Sequence, residues 1–150
     1  MSSNNDTKSR ELSISRLLNA PIEKVWLAWT QPEHIAKWWG PNGFSNTISK
    51  MEVKPGGEWE FIMHGPDGTD FRNKHIYGEI IKEKKLVLNH VTAPKFQMTA
   101  TFEAQGDKTL LTLHSIFESA RQLQDVIKIF KADEGMKQNM DKLEAYLLNL

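Results

Sequence analysis

Five histidines and the absence of cysteine limit the chemistry that this chain can support. His34, His64, His75, His90 and His114 lie far apart in the sequence, and no two of them have the spacing of a helical metal-binding pair. The lack of cysteine excludes disulfides, thiol nucleophiles and thiolate ligands. From these residue types we predict that the protein holds no metal.

Acid–base chemistry would fall to Tyr77, His90 and Glu79, which the strand pattern places on neighbouring strands. The predicted register sets Tyr77 opposite His90 and turns Glu79 inward, where an unpaired carboxylate has a raised pKa. A buried hydrogen bond between Tyr77 and His90 would explain that pair without any ligand. Since no phosphate-binding loop and no Gly-x-Ser-x-Gly sequence accompanies these residues, we predict no catalytic residue and no cofactor.

Length and charge limit the class of protein further. A chain of 150 residues is typical of one domain, and we predict a disordered tail over residues 1–10 and a single domain over residues 11–150. The 19 basic residues balance the 19 acidic ones, so no net field favours nucleic acid or an anionic membrane as a partner. The tail lacks the apolar core of a signal peptide and no later run has the length of a membrane span, so we expect a cytoplasmic protein.

The first third of the chain is predicted to hold one strand and two helices. Leu12 begins an alternation of apolar and polar residues that stops before Pro21. Pro21 begins a helix whose apolar residues recur at steps of three and four. Pro32 begins a second, short helix that ends near the adjacent Trp38 and Trp39.

Strands and turns are predicted for the central region, followed by a long helix. The predicted strands span residues 58–63, 71–81, 86–92, 96–104 and 109–117. Ser119 and Gln122 have the spacing of a capping box, and the helix that starts there runs to the C terminus with a kink at residues 133–135. This order predicts an α+β fold in which a curved antiparallel sheet grips the long C-terminal helix.

One face of the predicted sheet combines apolar side chains with a few polar ones. A two-residue turn at Gly106 and Asp107 fixes the pairing of the last two strands and turns one set of side chains inward. This set comprises Phe96, Met98, Ala100, Phe102, Leu111, Leu113, Ser115 and Phe117. Extending the pairing to the preceding strands adds Leu88, His90, Tyr77 and His75. A mainly apolar wall with a few polar groups is typical of a small-molecule pocket.

Several short motifs along the chain resemble one known family when they are taken together. They are Ala20-Pro21-Ile22-Glu23-Lys24-Val25-Trp26, Thr30-Gln31-Pro32-Glu33, Lys37-Trp38-Trp39-Gly40-Pro41, Val53-Lys54-Pro55-Gly56-Gly57-Glu58-Trp59, Gly65-Pro66-Asp67-Gly68 and Tyr77-Gly78-Glu79. From Leu12 to Leu150 the chain resembles the START-like helix-grip (SRPBCC) superfamily, specifically the single-domain relatives of the activator of heat-shock protein 90 ATPase. It departs from that pattern at Met136, where relatives usually carry Trp, and at Glu52, where they often carry Asp.

The resemblance implies an elongated apolar cavity between the sheet and the C-terminal helix, in which members of the superfamily hold lipids, polyketides and other hydrophobic molecules. We therefore predict that this chain binds an apolar small molecule, lipid-like or aromatic, without catalysing a reaction. Two alternatives remain open. One is a cyclase- or hydratase-type enzyme that uses the same cavity, and the other is a chaperone-associated interaction domain that acts through its outer surface.

The ligand-binding residues are predicted from this combination of register and resemblance. Large aromatic residues contribute most when buried, so Trp38 and Trp39 are expected at the end of the core or the mouth of the cavity. The full predicted set is Trp38, Trp39, Trp59, Phe61, His75, Tyr77, Leu88, His90, Phe96, Met98, Ala100, Phe102, Leu113, Phe117, Phe130 and Met136.

Overall fold

The computed structural model describes residues 9–150, except for the side chain of Phe130. The strands are β1 (Glu11–Leu18), β2 (Ser45–Met51), β3 (Glu58–His64), β4 (Asp70–Ile81), β5 (Lys85–His90), β6 (Phe96–Gln105) and β7 (Lys108–Phe117). The helices are α1 (Ile22–Thr30), α2 (Pro32–Ile35), α3 (Ala120–Phe130) and α4 (Ala132–Leu148). None of these four helices combines the length and the apolarity needed to cross a membrane.

The strands form one antiparallel sheet in the order β1-β7-β6-β5-β4-β3-β2. From β2 to β7 each strand pairs with its neighbour in sequence, whereas β1 pairs with the last strand, β7. Helix α4 places Met140, Leu143 and Leu147 in the same hydrophobic core as the inward-facing residues of the sheet. This arrangement of a curved antiparallel sheet and a C-terminal helix is the α+β fold class that the sequence predicts.

The last hairpin has the predicted register. Phe102 lies opposite Leu111, and Met98 lies opposite Ser115. The turn between β6 and β7 contains Gly106 at a φ of 63°, in the left-handed region that favours glycine. The inward face predicted for these two strands is thus confirmed.

The pairing predicted for β4 and β5 is wrong by two residues. His75 lies opposite His90, and Tyr77 lies opposite Leu88. One residue of the difference arises at the turn, where three residues separate the paired Ile81 and Lys85 instead of the two that the predicted register requires. The other arises from a bulge in β4 between Tyr77 and Ile80. Gly78 lies in this bulge, and a Cβ atom added to it would come within 2.9 Å of a methyl group of Val87. A bulge adds a residue to one strand, and sequence alternation alone cannot show where that happens.

The same bulge overturns the prediction for Glu79. Its carboxylate faces outward and accepts a hydrogen bond from Lys85 Nζ at 2.7 Å. The side chain is 57% exposed, so Glu79 is not the inward-facing carboxylate that the predicted register implies.

The C-terminal helical region is broken at Lys131, two residues before the predicted kink at 133–135. Lys131 has a φ of 52° and a ψ of 49°, so it ends α3 in the left-handed conformation and separates it from α4. Gly135, which motivates the prediction of a kink at 133–135, lies within the regular part of α4. The start of α3 is as predicted, since the Ser119 hydroxyl accepts a hydrogen bond from the Gln122 amide at 3.0 Å.

Tryptophans from α1 and from the segment after α2 form the centre of the core. Trp29 and Trp38 are each 1% exposed, and their ring centroids lie 5.0 Å apart. The indole of Trp38 donates to the backbone carbonyl of Ala28 at 3.1 Å, which ties the two segments together. The adjacent Trp39 contacts both rings and continues toward the sheet.

The N-terminal segment joins the sheet at Arg10. Its guanidinium donates to the carbonyl of Phe117 at 2.8 Å, and its own carbonyl accepts from the Phe117 amide at 2.9 Å. Residue 10 therefore extends the β1–β7 ladder, although it falls in the predicted tail. Residues 1–8 of that predicted tail lie outside the described residues.

Candidate functional site

A cavity of about 610 Å³ lies between the inner face of the sheet and helix α4. Small-molecule sites typically have volumes of about 300–1,000 Å³, so this space is large enough for a ligand of drug-like size. Apolar side chains from several elements form much of its wall, including Phe61 of β3, Leu113 of β7 and Met136 of α4.

A row of rings crosses the floor of the cavity from strand to strand. It consists of Phe117, Phe96, His90, His75 and Trp59, which are cross-strand neighbours on five adjacent strands. The centroids of successive rings lie 5.0, 4.7, 5.0 and 4.8 Å apart. We call this set the aromatic row; its first four rings line the cavity, and Trp59, at the end of the row, is not part of the cavity wall.

His90 is the polar residue of the aromatic row with the most hydrogen bonds. Its Nδ1 lies 2.7 Å from the carbonyl of Pro94, and its Nε2 lies 2.8 Å from Asn73 Oδ1 and 3.1 Å from the Thr92 hydroxyl. Burial lowers the pKa of His90, and the bonds to the Pro94 and Thr92 segments oppose that shift. The ring stacks on Phe96 at an interplanar angle of 24°.

His75 lies deeper in the sheet and is 2% exposed. Its Nδ1 has no hydrogen-bond partner among the described residues, and aromatic rings of Trp39, Trp59 and Phe61 surround it. Burial, and to a lesser extent the neighbouring His90, hold the pKa of His75 well below its usual range. The cavity wall therefore contains a neutral imidazole with unused hydrogen-bonding capacity.

Polar residues outside the aromatic row also line the cavity: Asp70, Arg72 and Asn73 belong to β4, Ser115 to β7 and Asn139 to α4. The Ser115 hydroxyl is buried and has no partner within the described part of the chain. Asn139 of α4 accepts a hydrogen bond from the amide of Gly40 through Oδ1, at 3.1 Å. The site thus offers a few separated polar groups in an apolar wall.

Helix α4 holds the loop after Trp39 in place through three side chains. Besides the bond from Gly40 to Asn139, the amide of Asn42 donates to Gln138 Oε1 at 3.0 Å. Lys142 Nζ donates to the carbonyls of residues 41 and 44, each at 3.3 Å. Burial lowers the pKa of this lysine. These bonds attach the loop, whose residues 40, 41 and 44 line the cavity, to the helix that covers the sheet.

More than half of the residues predicted from the sequence line this cavity. They are Trp39, Phe61, His75, His90, Phe96, Met98, Leu113, Phe117 and Met136. Others are buried but lie outside its wall: Trp38, Trp59, Tyr77, Leu88, Ala100 and Phe102. The side chain of Phe130 lies outside the described residues. Among the non-lining residues, Trp38 and Phe102 pack against Trp29 of α1, whereas Trp59 packs against Trp39 and His75.

Sequence reasoning missed lining residues from the loops, from the end of β3, from the start of β4 and from α4. These include Pro41, Phe44, Met63, Phe71, Pro94 and Asn139. Alternation in β3 and β4 places Met63 and Phe71 on the inner face, so the sequence pattern is sufficient to predict these two. Pro41 and Phe44 give no comparable signal, because the position of their loop depends on bonds to α4 that join residues about 100 positions apart.

The three residues considered for acid–base chemistry do not form a cluster. Glu79 faces outward, and Tyr77 lies beside Leu88, outside the cavity wall. Burial raises the pKa of the Tyr77 hydroxyl above its usual value. Within residues 9–150, no three His, Asp or Glu side chains approach one another closely enough to hold a metal ion.

Comparisons with known proteins agree with the fold. A model of the family described as Activator of Hsp90 ATPase homolog 1-like protein matches residues 19–148. The chain is similar to a solved structure from Arthrobacter aurescens, with 26% identity and a TM-score of 0.89 over 97% of this chain and 90% of that one. A structure from Nitrosomonas europaea has 25% identity and a TM-score of 0.85 over 94% of this chain and 96% of that one. No curated protein matches the sequence.

Proposed function

This chain belongs to the Activator of Hsp90 ATPase homolog 1-like family, and from that premise we propose that it binds an apolar small molecule, lipid-like or aromatic, between the sheet and helix α4. The observation that carries the proposal is the cavity of about 610 Å³. Most protein interiors are close-packed, with few voids larger than a water molecule. Phe61 and Leu113 are buried and still line this space, so the packing of the core does not fill it.

The chemistry of the wall favours an apolar ligand with one or two polar groups. Phe61, Met98 and Leu113 provide surface that gains free energy when a ligand displaces water, at about 25 cal/mol per Å². His75 and Ser115 provide polar groups that lack protein partners. Polar groups at a few fixed points orient a ligand, whereas the apolar area supplies affinity.

Two measurements test this proposal. A native mass spectrum of freshly purified protein is expected to show a copurified small molecule. In parallel, fatty acids, flavonoid-like aromatics and polyketides are expected to displace an environment-sensitive dye, with calorimetry as the second readout. Since Trp39 lines the cavity and contacts Trp59, binding should also change the tryptophan emission.

A pair of matched variants locates the binding site. Met136 lines the cavity. Met136→Trp replaces its unbranched side chain with a bulky indole ring and should weaken the binding of every ligand at least tenfold. Ile129 of α3 is 67% exposed, so Ile129→Trp adds the same ring on the surface and should leave affinity unchanged. Equal effects of the two variants would argue against the cavity as the site.

Binding to a chaperone partner through the outer surface is the alternative that a negative result would favour. If no compound class binds and Met136→Trp stabilises the protein by filling an empty space, the cavity has no ligand. A chaperone recovered with the native protein from lysate would then support the interaction-domain hypothesis.

A further inference from the structure

The hydrogen bonds around His90 do not suit a neutral imidazole. Its Nδ1 lies 2.7 Å from the carbonyl oxygen of Pro94, and its Nε2 lies 2.8 Å from Asn73 Oδ1. Both of these oxygens only accept hydrogen bonds. A neutral ring has one N–H group, so it donates to one oxygen and sets a lone pair against the other, whereas an imidazolium donates to both.

Exchanging the oxygen and nitrogen of Asn73 does not remove this conflict. Asn73 Nδ2 donates to the carbonyl of Phe71 at 3.0 Å. If the amide were reversed, Oδ1 would face that carbonyl and two acceptors would meet. The Thr92 hydroxyl, 3.1 Å from His90 Nε2, either donates or accepts and so fits both states of the ring. The polar surroundings of His90 therefore favour a proton, which burial opposes.

The cavity does not supply an anion to balance a charge on His90. Asp70 and Arg72 are the charged residues that line it, and Asp70 Oδ1 already pairs with His64 Nδ1 at 2.7 Å. Both occupy alternate positions of β4 that face away from the inner side, opposite His64 and Ile62. The parts of β1, β6, β7, α3 and α4 that line the cavity contribute no charged side chain.

Three charged residues line a second groove, outside the cavity, that also contains His90. They are Arg10, Lys95 and Glu118, and this open groove of about 320 Å³ shares His90, Phe96 and Phe117 with the cavity. The two cations outnumber the one carboxylate, so the groove supplies no net negative charge to balance a charge on His90. His75, on the other side of His90 at a centroid distance of 5.0 Å, is itself a base and supplies none.

We infer that the ligand is an apolar carboxylic acid, that His75 donates a hydrogen bond to its carboxylate, and that binding brings a proton from solvent onto His90. The inference rests on the proposed function, since it needs the cavity to be the binding site. The carboxylate would provide the counter-ion that the cavity lacks, and protonation would let both nitrogens of His90 donate. His75 is placed for its role because it lines the cavity, lies beside His90 and has an unpartnered nitrogen.

Paired ligands with the same carbon skeleton test the inference. Decanoic acid is compared with decanol, and 2-naphthoic acid with 2-naphthalenemethanol, by calorimetry between pH 6 and 8. Both acids stay ionised over this range, so a change in affinity reports on the protein. For uptake of one proton, affinity for the acids should fall toward tenfold for each unit of rising pH, whereas affinity for the alcohols should stay constant.

Proton uptake is measured directly on the unmodified protein. Calorimetry of the acids in two buffers of different ionisation enthalpy should give close to one proton taken up per acid bound at pH 7, and none per alcohol. This measurement needs no substitution, so it does not depend on a variant that folds.

Three substitutions assign the roles. His90→Gln should abolish proton uptake and the pH dependence. His75→Phe, which keeps a ring in its aromatic surroundings, should reduce the preference for acid over alcohol. His114→Gln, on the outer face where His114 pairs with Glu11, is the control and should change neither property.

The possible outcomes separate this inference from the proposed function. If acids and alcohols bind with equal, pH-independent affinity, the carboxylate inference is wrong and the proposed function stands. If alcohols alone bind, the carboxylate inference is again wrong and the proposed function again stands. If neither class binds under any condition, the inference and the proposed function both fail.

Discussion

His75 makes the free protein sensitive to acid. Its pKa is well below the usual range because burial, and to a lesser extent His90, disfavour the charged ring. The unfolded chain exposes the same ring to water, where it takes up a proton near pH 6.5. The contribution of His75 to the free energy of unfolding is therefore fully present above pH 6.5. It is lost as the pH falls from there toward the lowered pKa of the folded state.

The free energy of unfolding should thus decrease on acidification below pH 6.5. The loss should approach about 1.4 kcal/mol per pH unit for one proton, with His90 adding to it because its pKa is also lowered. Urea unfolding of ligand-free protein at pH 7.5, 6.5 and 5.5 measures this slope. His75→Phe should make the slope shallower, and an unchanged slope in that variant would show that His75 does not titrate on unfolding.

At the residue scale, the sequence predicted which way most side chains face but not which ones meet. Alternation placed His75 and His90 on the inner face, and both are there. It could not predict that they lie opposite each other, because that pairing depends on the length of the turn after β4 and on the bulge after Tyr77. The bulge also explains why Glu79 was misplaced, since one extra residue in a strand reverses the side to which a side chain points.

Helix α4 is the element whose packing against the sheet creates the cavity. Leu143 is fully buried in the common core, whereas Leu148, five residues later in the same helix, is 71% exposed. Because one leucine is buried and the other is exposed, the same substitution at both positions measures how much the inner face of α4 contributes to the free energy of unfolding.

Leu143→Ala should lower the free energy of unfolding by about 2–5 kcal/mol, as for a buried leucine that leaves a cavity. Leu148→Ala should change it by less than about 0.5 kcal/mol, because the side chain is exposed. Chemical denaturation of both variants under identical conditions gives the comparison. Similar values for the two would mean that α4 does not dock through its Leu143 face.

The break between α3 and α4 can be tested at Lys131. A left-handed conformation costs a residue with a Cβ roughly 1–2 kcal/mol, and glycine avoids that cost but loses more chain entropy on folding. Lys131→Gly should therefore raise the free energy of unfolding by at most about 1 kcal/mol, and Lys131→Val should lower it. Thermal unfolding of both variants is the measurement, and the reverse order would contradict a break at this residue.

The elements themselves were largely predictable, and their junctions were less so. Pro21, Pro32 and the Ser119 cap fixed three helix starts, because each acts through local geometry. The helix break at Lys131 carries no such signal. Glycine is the usual residue in that conformation, and the nearby Gly135 suggested a kink in the wrong place.

At the scale of the whole molecule, the cavity is lined by the sheet, by the loop after Trp39 and by α4, so a ligand bound there would contact all three. A molecule that binds the native state and not the unfolded chain stabilises all of these elements by mass action. At a free concentration of 100 times Kd the gain is about 2.7 kcal/mol.

Ligands identified by dye displacement should accordingly raise the Tm in proportion to the logarithm of their concentration above Kd. Met136→Trp should reduce this shift and Ile129→Trp should retain it, as measured by scanning calorimetry. A ligand that changes tryptophan emission without moving the Tm would be bound to the surface.

The pairing of β1 with β7 has a consequence for how the protein is made. Glu11 of β1 lies opposite Ile116 of β7, so the partner of the first strand is synthesised 105 residues after it. At translation rates of about 5–20 residues per second, the partner strand is completed about 5–20 s after β1 has been synthesised. During this interval the hydrogen-bonding edge of β1 has no partner in β7. The strands from β2 to β7 pair with their immediate neighbours and can form while the ribosome is still at work. β1 can therefore pair only after β7 has been made, and a nascent chain that stalls before β7 would expose an unpaired strand to its neighbours in the polysome.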